Sequence, residues 1–135
     1  MTKPIHSKKK RQGYARESDL QSLAVQFFQV QGIFYWRMPI GPVIHRRGKG
    51  PNVREIWKPS TLAGFPDFAG VLRRSQKGRF WALELKGRYG SPSEKQTHWI
   101  RDLGLSGAHV GIARTYQDLV SFFSSVGEIS NPQGT

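Results

Sequence analysis

The 135-residue chain has no cysteine, which excludes disulfides, thiol nucleophiles and thiolate metal sites. No apolar run approaches the ~20 residues that a membrane-spanning helix needs. Residues 1–16 hold no apolar stretch of the kind a signal peptide carries. The expected location is the cytoplasm, as in a bacterial or phage-type soluble protein, or the nucleoid. Acids are also scarce: nine Asp and Glu stand against twenty-one Lys and Arg, a net charge of +12. Such a surface attracts polyanions and speeds their capture. Nucleic acid is the commonest partner of this sign, because phosphate neutralisation supplies most non-specific affinity. Core-forming residues are not lacking. With 37% hydrophobic residues, including eight Phe, four Trp and four Tyr, the chain can fill the core of one domain.

Residues 1–16 read as a basic arm, with Lys8, Lys9, Lys10 and Arg11 placed to lie along a phosphate backbone. Residues 17–126 read as a single domain and residues 127–135 as a tail. Leu20, Leu23, Ala24, Phe27, Phe28 and Val30 recur at helical spacing, predicting a helix over Glu17–Gln31 that Gly32 stops. Residues 34–38 are short and aromatic, hence a strand. Residues 39–60 are punctuated by Gly and Pro and carry His45, Arg46, Arg47, Lys49, Arg54 and Lys58; they form either a long loop or a basic β-hairpin, and these six are candidate nucleic-acid contacts. Residues 67–73 and 79–86 flank a polar, glycine-containing turn and predict an antiparallel hairpin. A helix follows, with Ser91 as N-cap, Pro92 in its first turn and Glu94 completing a capping box. A strand over 109–114 and a helix capped by Thr115 and Asp118 complete a mixed α/β order, α-β-β-β-α-β-α.

With so few acids, each can be weighed. Glu94 and Asp118 serve as caps, Asp19 and Asp102 sit on helices, Glu55 lies in the basic segment and Glu128 in the tail. Three remain. Glu84 lies in Phe80-Trp81-Ala82-Leu83-Glu84-Leu85-Lys86, where alternation puts Trp81, Leu83 and Leu85 on one face and Ala82, Glu84 and Lys86 on the other. A carboxylate and an ammonium in so apolar a strand are costly unless each has a partner. Asp67 opens the preceding strand after Gly64-Phe65-Pro66, so hairpin pairing brings it toward Glu84. Glu17 lies in the first turn of the first helix, on the side of Leu20 and Ala24, with Gln21 one turn on. Taken singly, each has an ordinary structural explanation. Together, three carboxylates repel one another and call for a cation, and all-oxygen ligation favours Mg²⁺ or Mn²⁺ over Zn²⁺. Lys86 could then orient water or stabilise charge on a phosphoryl oxygen. Gln96 shares the face of Trp99, Ile100 and Leu103; it either satisfies core backbone or braces Lys86 or a metal-bound water.

These residues resemble the PD-(D/E)xK nuclease superfamily, and within it the VRR-NUC family. The likeness rests on Glu17-Ser18-Asp19-Leu20-Gln21, Gly64-Phe65-Pro66-Asp67, Glu84-Leu85-Lys86 and Ser91-Pro92-Ser93-Glu94-Lys95-Gln96. Each motif is weak alone, but the four stand in register across residues 17–125. The resemblance implies a restriction-endonuclease-like core, a mixed sheet flanked by helices. It implies metal ligation by Glu17, Asp67, Glu84 and the Leu85 carbonyl, with Lys86 and Gln96 in support. It also implies a homodimeric, metal-dependent endodeoxyribonuclease that hydrolyses phosphodiester bonds in branched or structured DNA, such as four-way junctions or flaps. Residues 39–60 depart from the pattern, being longer and more basic than a compact core requires.

Two other readings explain the charge: a non-enzymatic DNA-binding protein, and a nuclease acting on linear DNA or RNA. The first leaves Asp67, Glu84 and Lys86 without a role. The four histidines show no metal-ligand spacing, and His45 is the one best placed to touch DNA. Trp36 and Trp57 suit either base stacking or the core.

Overall fold

A computed structural model describes residues 16–38, 43–58 and 62–130, with the side chains of residues 43–45 and 57–58 left out of account. The chain is mixed α/β. Its central sheet is four-stranded, in the order β1(Tyr35–Arg37), β4(Phe68–Val71), β5(Phe80–Leu85), β6(His109–Ala113). The first three strands are antiparallel neighbours, and β6 runs parallel to β5. A parallel pair needs a long crossover, and α2(Glu94–Leu105) supplies it. A separate two-stranded ribbon, β2(Val43–Arg47) with β3(Arg54–Lys58), is inserted between β1 and β4. The expected element order holds for the central sheet, and within residues 39–60 the described residues 43–58 take the hairpin alternative. No helix among the described residues is long and apolar enough to cross a membrane.

Alternation along β5 divides the core. Trp81, Leu83 and Leu85 join Phe68 beneath α1(Glu17–Gln31) and α3(Tyr116–Ser124), packing against Leu20, Ala24, Phe28, Leu119 and Phe123. Burying aromatics of this size contributes about 1.5–3 kcal/mol each, and Phe28 is the hub, with ring centroids 4.8 to 5.7 Å from Tyr35, Phe68, Trp81 and Phe123. The opposite face is thinner: Ala69 and Ala82 meet Phe65, Trp99 and Leu103 under α2. The small alanines let α2 approach the sheet closely. Helix α1 ends where expected, at Gly32, whose φ of 67° closes the left-handed cap.

Two boundaries differ from expectation. Helix α2 is capped by Ser93 rather than Ser91, and its box residue is Gln96 rather than Glu94. Both serines have a Glu or Gln three residues on; Ser93 prevails because Gln96 then serves the cap and the interior at once. The tail expected from residue 127 does not begin there. Val126, Glu128 and Ile129 are buried, and the Glu128 carboxylate accepts the backbone N–H groups of Arg73 and Arg74 at 2.9–3.0 Å. The Arg74 guanidinium in turn donates to the Glu128 and Gln31 carbonyls. The turn after β4 needed acceptors, and the chain past α3 folds back to provide them. Residues 131–135 lie outside the described residues.

Candidate metal centre

Strand pairing builds the centre at one end of the sheet. In the β4–β5 register Phe68 faces Leu83, so Asp67 arrives beside Glu84 one step further on. The two strands are tied there by their own carboxylates. The Asp67 N–H donates to Glu84 Oε2 at 3.2 Å, and the Leu85 N–H donates to Asp67 Oδ2 at 2.9 Å. Helix α1 adds the third acid from the other side of the sheet, because its first turn reaches the same end. One oxygen each from Glu17, Asp67 and Glu84 lies within 4.8 Å of the others. Enclosure is graded: Glu84 is 1% exposed, whereas Asp67 and Glu17 still meet solvent. The three carboxylates could hold a metal ion.

Two further residues converge on Glu84 Oε1. The Lys86 ammonium stands 3.6 Å away and is itself largely buried. Gln96 Nε2 donates at 3.0 Å, while Gln96 Oε1 accepts the Ser93 N–H at 2.8 Å. Gln96 therefore links the start of α2 to the acid, which answers both alternatives raised by its position: it satisfies backbone and braces the centre. Gly64 makes this approach possible. Its φ is 85°, and a Cβ there would lie 2.6 Å from Lys95 Cβ and 3.0 Å from the Gln96 nitrogen. Any larger residue would push α2 away.

The electrostatics are those of a site with surplus negative charge. Burial and the adjacent Asp67 carboxylate push the Glu84 pKa up to about 8, against the pull of Lys86 in the other direction. One lysine does not balance three acids held this closely. A divalent cation would, and the donor set of hard carboxylate oxygens suits Mg²⁺, Mn²⁺ or Ca²⁺ chemistry rather than that of a thiophilic metal.

The other expected site residues fall into groups. Arg46, Arg47, Lys49 and Arg54 are exposed on the ribbon, with Arg46 3.7 Å from Glu55. Lys8, Lys9, Lys10 and Arg11 lie outside the described residues, as do the side chains of His45 and Lys58. Of the histidines, His109 is structural: it stacks 3.9 Å from the Phe122 ring, bonds the Phe122 carbonyl at 2.7 Å, and has its pKa lowered chiefly by burial. Trp36 is half-exposed at the edge of the core against Phe34 and Phe80.

One neighbour escaped the sequence reading. Arg37 donates to Gln21 Oε1 at 2.9 Å and lies 5.9 Å over the Phe68 ring. Gln21 is one helical turn from Glu17, and Arg37 shares the strand face of Tyr35, so the helical and strand periods together would have found the pair. Arg114 was also unremarked; it donates to the Gly87 and Gly90 carbonyls and pins the loop that follows Lys86. No family model, curated protein or solved structure matches the chain.

Proposed function

We propose that this protein is a Mg²⁺- or Mn²⁺-dependent endonuclease that hydrolyses phosphodiester bonds in DNA, with Glu17, Asp67 and Glu84 as metal ligands. One observation carries the reading: three carboxylates from separate elements converge within 4.8 Å beside a buried lysine, in a chain of net charge +12. Purely structural acids are satisfied by cations or N–H groups, one at a time. Three held together are expensive without a cation, and a chain of net charge +12 attracts a polyanion such as DNA. The order α-β-β-β-α-β-α of the core elements, with Pro66-Asp67 leading into β4 and Glu84-Leu85-Lys86 at the end of the neighbouring β5, supports the likeness to PD-(D/E)xK nucleases of VRR-NUC type.

A bound divalent ion would polarise a phosphoryl oxygen and lower the pKa of its water. The protein's residues have separable tasks. Glu84 on β5 and Asp67 just before β4 supply charge, and the Asp67 N–H on Glu84 Oε2 and the Leu85 N–H on Asp67 Oδ2 help to hold both carboxylates in place. Gln96 holds Glu84 Oε1 in orientation from α2. Lys86, held in the same pocket, is the group able to meet negative charge developing on the phosphate. The Leu85 carbonyl, between two of these residues in sequence, completes the proposed ligand set.

The test is a panel of linear duplex, single strand, flap and four-way junction, each with Mg²⁺, with Mn²⁺ and with chelator. The reading expects metal-dependent cleavage, strongest on branched DNA, and its loss in Asp67→Asn and Lys86→Ala. Binding without cleavage under every metal condition would leave a DNA-binding protein in its place.

A further inference from the structure

The ribbon β2–β3 and its turn carry Arg46, Arg47, Lys49, Arg54 and Lys58 against a single acid, Glu55. Its strands pack chiefly on each other rather than on the central sheet. None of the described core residues belongs to it. Its two sides differ in how their charges are met. In the antiparallel register Arg46 lies opposite Glu55, and the two approach to 3.7 Å. One step along, and therefore on the other side of the ribbon, Arg47 lies directly opposite Arg54. Like charges placed across a strand pair destabilise it. Neither arginine, nor Lys49 at the turn, has an acidic partner among the described residues. One side is thus neutralised from within, and the other is left cationic.

The attachment of the ribbon matters equally. The chain leaves the central sheet at Met38, whose N–H donates to the Asp67 carbonyl at 2.9 Å. It returns through Leu62, whose carbonyl accepts the Phe65 N–H, two residues before Asp67. Both roots therefore lie at the sheet end that carries the three carboxylates.

We infer that the Arg47–Arg54 side of this ribbon docks in the major groove of double-stranded B-form DNA flanking the point of cleavage. Strands ~4.8 Å apart make a ribbon narrow enough for a groove about 12 Å wide. Phosphates line both walls, so paired arginines that repel in the free protein gain anions when seated. The A-form major groove of double-stranded RNA is too deep and narrow to admit it. The inference rests on DNA being the substrate and not on the metal chemistry.

Fluorescence anisotropy in chelator, where no metal-dependent cleavage interferes, separates the two. The probes are a linear DNA duplex, the same sequence as an RNA duplex, and the single strand, each across a salt series. Arg47→Gln with Arg54→Gln should weaken DNA-duplex binding at least about tenfold and reduce the salt slope by about two. Arg46→Gln should change it by less than about threefold, since its charge is met by Glu55. Arg47→Lys with Arg54→Lys should keep the slope. RNA-duplex and single-strand affinities should move little in the double Gln variant. Unchanged DNA-duplex binding in that variant, an equal loss in Arg46→Gln, or an equal loss on RNA would overturn the assignment. Because the readout is binding without metal, an inactive metal centre leaves this result interpretable.

Discussion

Glu84 and Glu128 are both about 1% exposed, yet their surroundings have little in common. Glu128 receives the N–H groups of Arg73 and Arg74, and its backbone carbonyl takes the Arg74 guanidinium. These contacts tie the segment after α3 to the turn after β4. Glu84 instead faces two other carboxylates, one lysine and one amide, and its pKa is pushed up to about 8. Burying an acid therefore does not mark a functional site. What distinguishes the two is whether the protein supplies enough positive partners, and at Glu84 it does not.

Catalysis should show the largest contrast. Asp67→Asn, Glu84→Gln and Lys86→Ala are each expected to lower DNA cleavage by about a thousandfold or more, with circular dichroism unchanged. Glu128→Gln should leave turnover per folded molecule intact. Equal loss of activity from both glutamates would erase the distinction.

Stability should show the reverse. Glu128→Ala strands two part-buried N–H groups and is expected to cost about 2 kcal/mol in denaturant unfolding, and Glu128→Gln about 1. Glu84→Gln in the metal-free protein should cost nothing, or stabilise at neutral pH, because Glu84 must take up a proton on folding there and Gln need not. A Glu84→Gln variant as damaged as Glu128→Ala would mean that Glu84 is structural.

The pH dependence follows with its own sign. Glu84 has a folded pKa of about 8 against an ordinary value of 4.5, so the native state binds the extra proton between them. Stability of the metal-free protein should therefore fall as pH rises through that window, by at most about 1.4 kcal/mol per pH unit from this group. The slope should flatten in Glu84→Gln, with thermal unfolding at several pH values as the check. Saturating Mn²⁺ should abolish the decline, since the ion takes the proton's place.

The smallest effects belong to the scaffold around Gln96. Gly64→Ala meets Lys95 and strains a φ of 85°, costing about 1–3 kcal/mol, and it should reduce cleavage by displacing Gln96. Ser93→Ala removes the cap of α2 for about 1 kcal/mol. Activity that survives Gly64→Ala undiminished would detach α2 from the centre.

Much of this was legible in the residues. The period of α1, the alternation along β5 and the turn residues between β4 and β5 each determine one element, and together they bring Asp67 to Glu84. The box at Thr115 and Asp118 was equally plain. Other features were not local. Ser91 and Ser93 carry nearly identical capping signals, and only the bond from Gln96 to Glu84 distinguishes them. Glu128 looked like tail because its partners, the N–H groups of Arg73 and Arg74, lie more than fifty residues away. The bond between Arg37 and Gln21 requires two elements to be packed before it exists.

The central claim is most directly tested by isothermal calorimetry of Mn²⁺ binding to the metal-free protein at pH 7 in two buffers of different ionisation enthalpy. A saturable site is expected that releases close to one proton per ion, as Glu84 gives up its own, and that is lost or severely weakened in Glu17→Gln, Asp67→Asn and Glu84→Gln alike. Undetectable binding, or binding indifferent to removal of any one of the three acids, would contradict it.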